Sequence, residues 1–240
     1  EMKQYPVIIN VRDRMTDLVA LLQWFEKMGQ ENIWLCDNAS TYPPLVEFLH
    51  STSHHVLFNE INLGHRAPWL SGLVTELGLD SYFIVTDPDV VPCDDCPTDV
   101  FDFLQSSLET FQDVDKIGLS LRIDDIPQHY MHADEVVKWE SQFWTKQIAP
   151  FLFAAPVDTT FAMYRPGEGH LNSRSLRSGP PYHARHMPWY QDSLHQTEEQ
   201  QYYMEHADSF IINWDRKILP ASLRAHLIQL RDQPTDSGKQ

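Results

Sequence analysis

Three stretches of this chain concentrate side chains that can do chemistry. Asp87-Pro88-Asp89 sets two carboxylates two residues apart in an extended turn. Both can approach one hard cation, and such a cation keeps positions open for phosphate oxygens. Taken alone, the triplet also fits an ordinary acidic turn, because Asp caps turn backbones. Tyr182 to Tyr190 packs two histidines, one arginine and three aromatic residues into nine positions. A neutral imidazole there suits Mn²⁺ beside carboxylates, the plainer alternative being surface histidines next to a packed Trp. Cys93-Asp94-Asp95-Cys96 has redox or zinc spacing, but zinc wants a second ligand pair, and the chain has histidines yet no other cysteine pair. Cys36, Cys93 and Cys96 therefore read as incidental thiols of a reducing compartment.

Alternating strand and helix patterns must position these residues, which is the signature of a mostly parallel sheet covered by helices. Tyr5 to Val11 reads as a buried strand. Met15 to Met28 places Leu18, Leu21, Leu22 and Phe25 at helical spacing and stops at Gly29. Ile33 to Cys36 is a second strand, and Pro43 and Pro44 open a helix carrying Leu45, Phe48 and Leu49. A third strand, Val56 to Phe58, leads through Asn62-Leu63-Gly64 into a helix with Trp69, Leu70, Leu73, Val74 and Leu77. The fourth, Tyr82 to Thr86, ends in the acidic triplet. Ligands of open α/β sheets gather at the carboxyl ends of the strands, so position strengthens what the triplet alone leaves weak. Beyond Pro97 the pattern predicts a helix over 99–111, strands at 117–123, 159–164 and 210–213, and a helix over 198–205. The expected organisation is a single α/β domain, 1–232, with a regular half (1–97), a less regular half (98–232) that reads as substrate apparatus, and a frayed polar tail at 233–240.

The bulk composition excludes several classes. With 42% hydrophobic and 22% charged residues, disorder and disulfide scaffolds are out. A formal net charge of -16 repels phosphate backbones, so no nucleic-acid partner is expected. No apolar run reaches the roughly 20 residues of a membrane span, and the N-terminus lacks the layout of a signal peptide, so the expectation is a soluble, cytoplasmic protein.

Four loops, taken in order, resemble those of glycosyltransferases of the GT-A fold, particularly the large family 2 of bacterial and phage enzymes. They are Val7-Ile8-Ile9-Asn10-Val11-Arg12, Leu35-Cys36-Asp37-Asn38-Ala39-Ser40-Thr41, Asn62-Leu63-Gly64-His65-Arg66 and Val85-Thr86-Asp87-Pro88-Asp89. The resemblance implies a Mn²⁺- or Mg²⁺-dependent transferase taking a hexose from a nucleotide sugar, a UDP-sugar by preference, to a carbohydrate or other hydroxyl acceptor. It assigns Asp37, with Asn38 beside it, to the base, where a carboxylate accepts the imide N–H of uracil. Asn10 and Arg12 then pack on the nucleoside and diphosphate, and Asn62, Gly64, His65 and Arg66 line the donor pocket. Asp89 binds the metal, with Asp87 nearer the ribose or acting through water. His186 closes the metal shell, with His183 as the fallback. The plain alternative for Asp37-Asn38 is a helix cap or Asx-turn.

Transfer to a hydroxyl can use a carboxylate base. Asp158, just before the strand at 159–164, and Glu140, between Trp139 and Trp144, are the candidates, with Asp124, Asp125 and Asp192 behind them. The family's Glu-Asp pair at a helix start has no clear copy here. Trp139 to Trp144 reads equally as a core helix, in which Val136, Trp139 and Phe143 share a face. Two other functions stay open: a sugar-nucleotide nucleotidyltransferase, against which the absence of a glycine-rich first loop counts, and a non-catalytic binder on the same fold.

Overall fold

In β1 (Val7–Val11), Val7, Ile9 and Val11 enter one hydrophobic cluster and Ile8 another, as the two-residue period of a strand buried on both faces requires. A computed structural model describes residues 3–158, 161–167, 174–207, 214 and 216–232. The chain continues through α1 (Thr16–Lys27), β2 (Ile33–Asp37), α2 (Pro43–Ser51), β3 (His55–Phe58), α3 (Ala67–Leu70), α4 (Leu73–Gly78), β4 (Phe83–Thr86), β5 (Val90–Pro92) and α5 (Val100–Thr110). There follow β6 (Lys116–Gly118), β7 (Ser120–Leu121), α6 (Ala133–Ser141), β8 (Gln147–Ala149), β9 (Leu152–Phe153), β10 (Ala162–Tyr164), β11 (Ser175–Ser178), β12 (His183–His186), α7 (Glu198–His206) and α8 (Ala221–Asp232).

The strands form a nine-stranded sheet, β3-β2-β1-β4-β10-β6-β11-β9-β8, and a three-stranded one, β5-β12-β7. The four N-terminal strands run parallel, while β10 runs antiparallel between β4 and β6. This is the α/β class expected from the sequence. Helices cover both faces: Leu18, Leu21, Leu22 and Phe25 of α1 pack in one cluster with α2 and α5, and Ala67, Leu73 and Val74 in the other. Burying the four α1 side chains, at roughly 1.5–3 kcal/mol each, is what turns an amphipathic pattern into a docked helix.

Register brings the carboxyl ends into line: Val11 pairs with Asp37, Ile9 with Thr86, and Asp37 with Phe58. The loops after β1, β2, β3 and β4 therefore open on one side of the sheet. The strand expected over 117–123 divides at Leu119, whose N–H donates to the Phe161 carbonyl (2.8 Å). Gly118 allows the close approach there, since a Cβ would stand 2.6 Å from Val157. After that break the chain crosses to the small sheet. Residues 159 and 160 and the strand expected at 210–213 lie outside the described residues, as does the tail. Helix α8 lacks any expectation from the sequence. No helix among the described residues is long and apolar enough to cross a membrane.

Candidate active site

The small sheet joins the acidic triplet to the histidine-rich stretch. Strand β12 runs antiparallel to β5, with His186 opposite Val90 and Arg185 opposite Val91, and Met187 N–H donates to the Asp89 carbonyl (2.8 Å). Asp89 Oδ2 consequently stands 3.7 Å from His186 Nε2. The same oxygen lies 3.3 Å from Arg14 Nε, so a carboxylate, an imidazole and a guanidinium meet beyond β1 and β4. Trp189, buried in the turn after β12, packs its ring 4.7 Å from that of His186 and restricts the imidazole.

Arg14 is the residue that sequence reasoning missed. Its Nη1 donates to Gln200 Oε1 (3.0 Å), and its guanidinium lies 3.8 Å over the ring of Tyr203. Helix α7 thus docks on the loop after β1, helped by Glu199, which accepts from the Thr16 N–H and hydroxyl. These contacts span more than 180 positions, and no local signal in Arg12-Asp13-Arg14 says which arginine faces the crevice. Arg12 donates to the carbonyls of Asn38 and Ala39 (2.7 and 2.9 Å), pinning the loop after β2 beside Asp37. Asp13 also escaped notice, though its Oδ1 accepts from the Thr41 and Tyr42 N–H groups (2.6 and 2.8 Å). Asp13 and Ala39 both sit at positive φ (49° and 58°), conformations that cost a non-glycine residue on the order of 1 kcal/mol and persist because the two loops lock each other.

The loops after β1, β2 and β3 share an amide network. Asn38 Nδ2 donates to Asn62 Oδ1 (2.8 Å) and to the Gly64 carbonyl (3.0 Å), while its Oδ1 accepts from Leu63 N–H (2.6 Å). Asn10 Nδ2 also reaches the Gly64 carbonyl (3.2 Å), and Gly64 holds φ at 67°, where glycine is unstrained. Asn10 Oδ1 is buried with no hydrogen-bond partner among the described residues. Asp37 accepts weakly from Ser40 N–H (3.2 Å), and burial raises its carboxyl above the ordinary range. His65 and Arg66 are exposed at the rim.

The remaining candidates separate. Asp87 is half-buried at the end of β4 and Asp158 exposed before β10. Both carboxylates add to the burial that raises the Tyr164 phenol, which places them in range of one group. Glu140 is not brought to the Asp89 cluster: its Oε2 meets Arg177 Nη1 at 2.9 Å, both side chains are buried, and Arg177 stacks 4.0 Å from the Phe143 ring. Trp139 packs against Trp214 and His226, the core-helix alternative for that segment. His183 points to Asp95 (Nε2 to Oδ1, 3.1 Å), because the pleat of β12 sends 183 and 186 to opposite faces. Asp124 and Asp125 hold Arg122, and Asp192 holds His195.

The spacing of Asp89 and His186 suits two ligands of one cation, while Arg14 Nε stands 3.3 Å from the same Asp89 oxygen. Two ligands at about 2.1 Å from one ion stand roughly 3–4 Å apart, which brackets the observed 3.7 Å between Asp89 Oδ2 and His186 Nε2. Asp89 and His186 are also partly exposed, at 13% and 23%, so the pair opens to the crevice.

No family model and no curated protein matches the chain. Among solved structures it is similar to HddC from Yersinia pseudotuberculosis complexed with GMP-PN, at 15% identity and a TM-score of 0.44, over 73% of this chain and 89% of that one. It is similar also to TarS 1-349 from S. aureus (13% identity, TM-score 0.45, 77% of this chain) and to glucosyl-3-phosphoglycerate synthase from Mycobacterium tuberculosis in complex with Mn²⁺, UDP and glucosyl-3-phosphoglycerate (12%, 0.40, 66%). The chain spans 60% of the TarS fragment and 56% of the synthase. These are loose likenesses of fold, and the chemistry of the crevice is read from its own residues.

Proposed function

We propose that this chain is a metal-dependent glycosyltransferase of the GT-A fold that moves a hexose from a nucleotide sugar, by preference a UDP-sugar, to a carbohydrate or other hydroxyl acceptor. The observation that carries this reading is the meeting of Asp89, His186 and Arg14 where the carboxyl ends of β1 and β4 open. Asp89 and His186 hold Mn²⁺ or Mg²⁺, with Asp87 close by toward the ribose. A divalent cation so held supplies neutralisation of the departing diphosphate. Arg14 adds a fixed positive charge that its contacts with Gln200 and Tyr203 keep aimed, so no reorganisation is needed as charge develops. Asp37 accepts the imide N–H of the base, Asn10 offers its spare Oδ1 to the nucleoside, and Asn62, Gly64, His65 and Arg66 shape the donor pocket. Asp158, exposed and close in chain to β10, takes the acceptor proton.

The test is incubation with UDP-, GDP- and CMP-sugars, with and without Mn²⁺, while release of nucleoside diphosphate is followed. Metal-dependent release from one donor class, abolished in Asp89→Ala, supports the reading. Absence of nucleotide binding, or release indifferent to Asp89→Ala, overturns it. Binding without release points instead to a non-catalytic nucleotide-sugar binder.

A further inference from the structure

The face of β12 turned away from Asp89 carries a second cluster that the proposed transfer reaction does not use. Cys93 Sγ, a carboxylate oxygen of Asp95 and a ring nitrogen of His183 lie within 4.8 Å of one another. Two of the three come from one turn, closed by the Cys96 N–H donating to the Cys93 carbonyl (2.9 Å). The third comes from β12, whose His183 carbonyl accepts from Cys93 N–H (3.0 Å), so the backbone already holds turn and strand in register. Cys93 and His183 are buried, at 1% and 5% exposure, and Asp95 is exposed, leaving one side open to solvent. The cluster differs from the Cys93-x-x-Cys96 pair considered from the sequence: Cys96 is not in it, and its histidine lies some ninety positions later.

We propose that Cys93, Asp95 and His183 form a binding site for Zn²⁺ or a similar late first-row divalent ion, distinct from the cation at Asp89. Thiolate, imidazole and carboxylate together are the borderline-soft set that zinc prefers, whereas Mg²⁺ selects oxygen alone. The neighbouring charges permit it: Arg122 is engaged by Asp124 (2.7 Å) and Asp125 (3.1 Å) and stands 3.9 Å from the other oxygen of Asp95, and Arg185 is held by Asp125 (2.7 Å). With Asp95 these make three carboxylates against two guanidiniums. On binding, the Cys93 S–H bond breaks, its proton goes to solvent, and the thiolate and a neutral His183 each donate an electron pair to the ion; no oxidant is needed. The ion would clamp β5 to β12, the two strands that present Asp89 and His186.

The experiment is a Co²⁺ titration of the reduced chain, followed by absorption and by metal analysis after Zn²⁺ displaces the cobalt. The expected result is a thiolate-to-cobalt charge-transfer band that saturates at one ion per chain. The band should persist in Asp89→Asn and Cys36→Ser and disappear in Cys93→Ser and His183→Gln. Asp95→Asn, an exposed substitution that keeps the test usable should Cys93→Ser fail to fold, should weaken the titration at least tenfold. No charge-transfer band in the native chain overturns the proposal, as does a band indifferent to His183→Gln and Asp95→Asn or one lost in Asp89→Asn. None of these outcomes depends on whether a sugar is transferred.

Discussion

The two faces of β12 each pair a histidine with an aspartate, and the difference between them separates two kinds of site. On one face His186 stands 3.7 Å from Asp89, both partly exposed and joined by Arg14. On the other, His183 is buried 3.1 Å from Asp95 with a buried thiol beside them. Oxygen, nitrogen and a cation over an open crevice suit an ion that shares its shell with phosphate. Buried sulfur and nitrogen with one exposed carboxylate suit an ion that stays. Residue type alone does not distinguish the faces, because each is an Asp–His pair; burial and the third partner do.

The largest effect that would sharpen this contrast is kinetic. Asp89→Asn should lower turnover of a nucleotide-sugar donor by about 10³-fold, since several kcal/mol of charge stabilisation go with the ion. His183→Gln should leave turnover within a few-fold of native. Equal losses in steady-state assays of the two variants would break the distinction.

Next comes an ion pair that belongs to neither face. Glu140→Ala leaves the Arg177 guanidinium buried without its carboxylate, and equilibrium unfolding should report a loss of about 3–5 kcal/mol. Glu140→Gln, measured below its melting temperature, should keep native turnover per folded molecule. A pure loss of turnover in Glu140→Gln, with stability unchanged, would return Glu140 to the chemistry.

His186→Ala should raise the Mn²⁺ concentration for half-maximal activity by roughly 10–100-fold while leaving Asp89 able to bind some metal. A metal titration of activity checks this.

The smallest effect concerns Asp37 and has opposite signs in two measurements. Burial raises its carboxyl, so the folded chain holds that proton more tightly than the unfolded one. The charged group therefore costs stability above its folded pKa, and the cost disappears as pH falls below the unfolded value. Asp37→Asn should raise the melting temperature at pH 7, an advantage that shrinks on acidification, yet weaken UDP binding about tenfold through loss of a charged acceptor. A lowered melting temperature with unchanged UDP affinity would mark Asp37 as a loop brace only.

Much of this was legible in the sequence, and the reasons for the rest are physical. The first four strands and their helices carry unbroken apolar patterns, so the loops bearing Asn10, Asp37, Asn62 and Asp89 could be ordered along a sheet edge without coordinates. Arg14 could not be told from Arg12, because the partners that decide, Gln200 and Tyr203, sit on a helix remote in sequence. The Cys93 cluster was hidden for a similar reason: its histidine arrives through pairing of β12 with β5 and β7, a non-local register that no spacing rule reads. Glu140 reads from the sequence either as a candidate base or as part of a core helix, and its partner Arg177 lies on a strand 37 positions away, out of reach of any local pattern.

The most direct test of the crevice is calorimetric titration of UDP into the native chain and into Asp89→Asn, each with and without Mn²⁺. If Asp89 and His186 hold a cation that meets the diphosphate, Mn²⁺ should tighten UDP binding to the native chain by at least about tenfold and leave the variant unmoved. Native binding that ignores Mn²⁺, or a metal dependence that survives in Asp89→Asn, would contradict it.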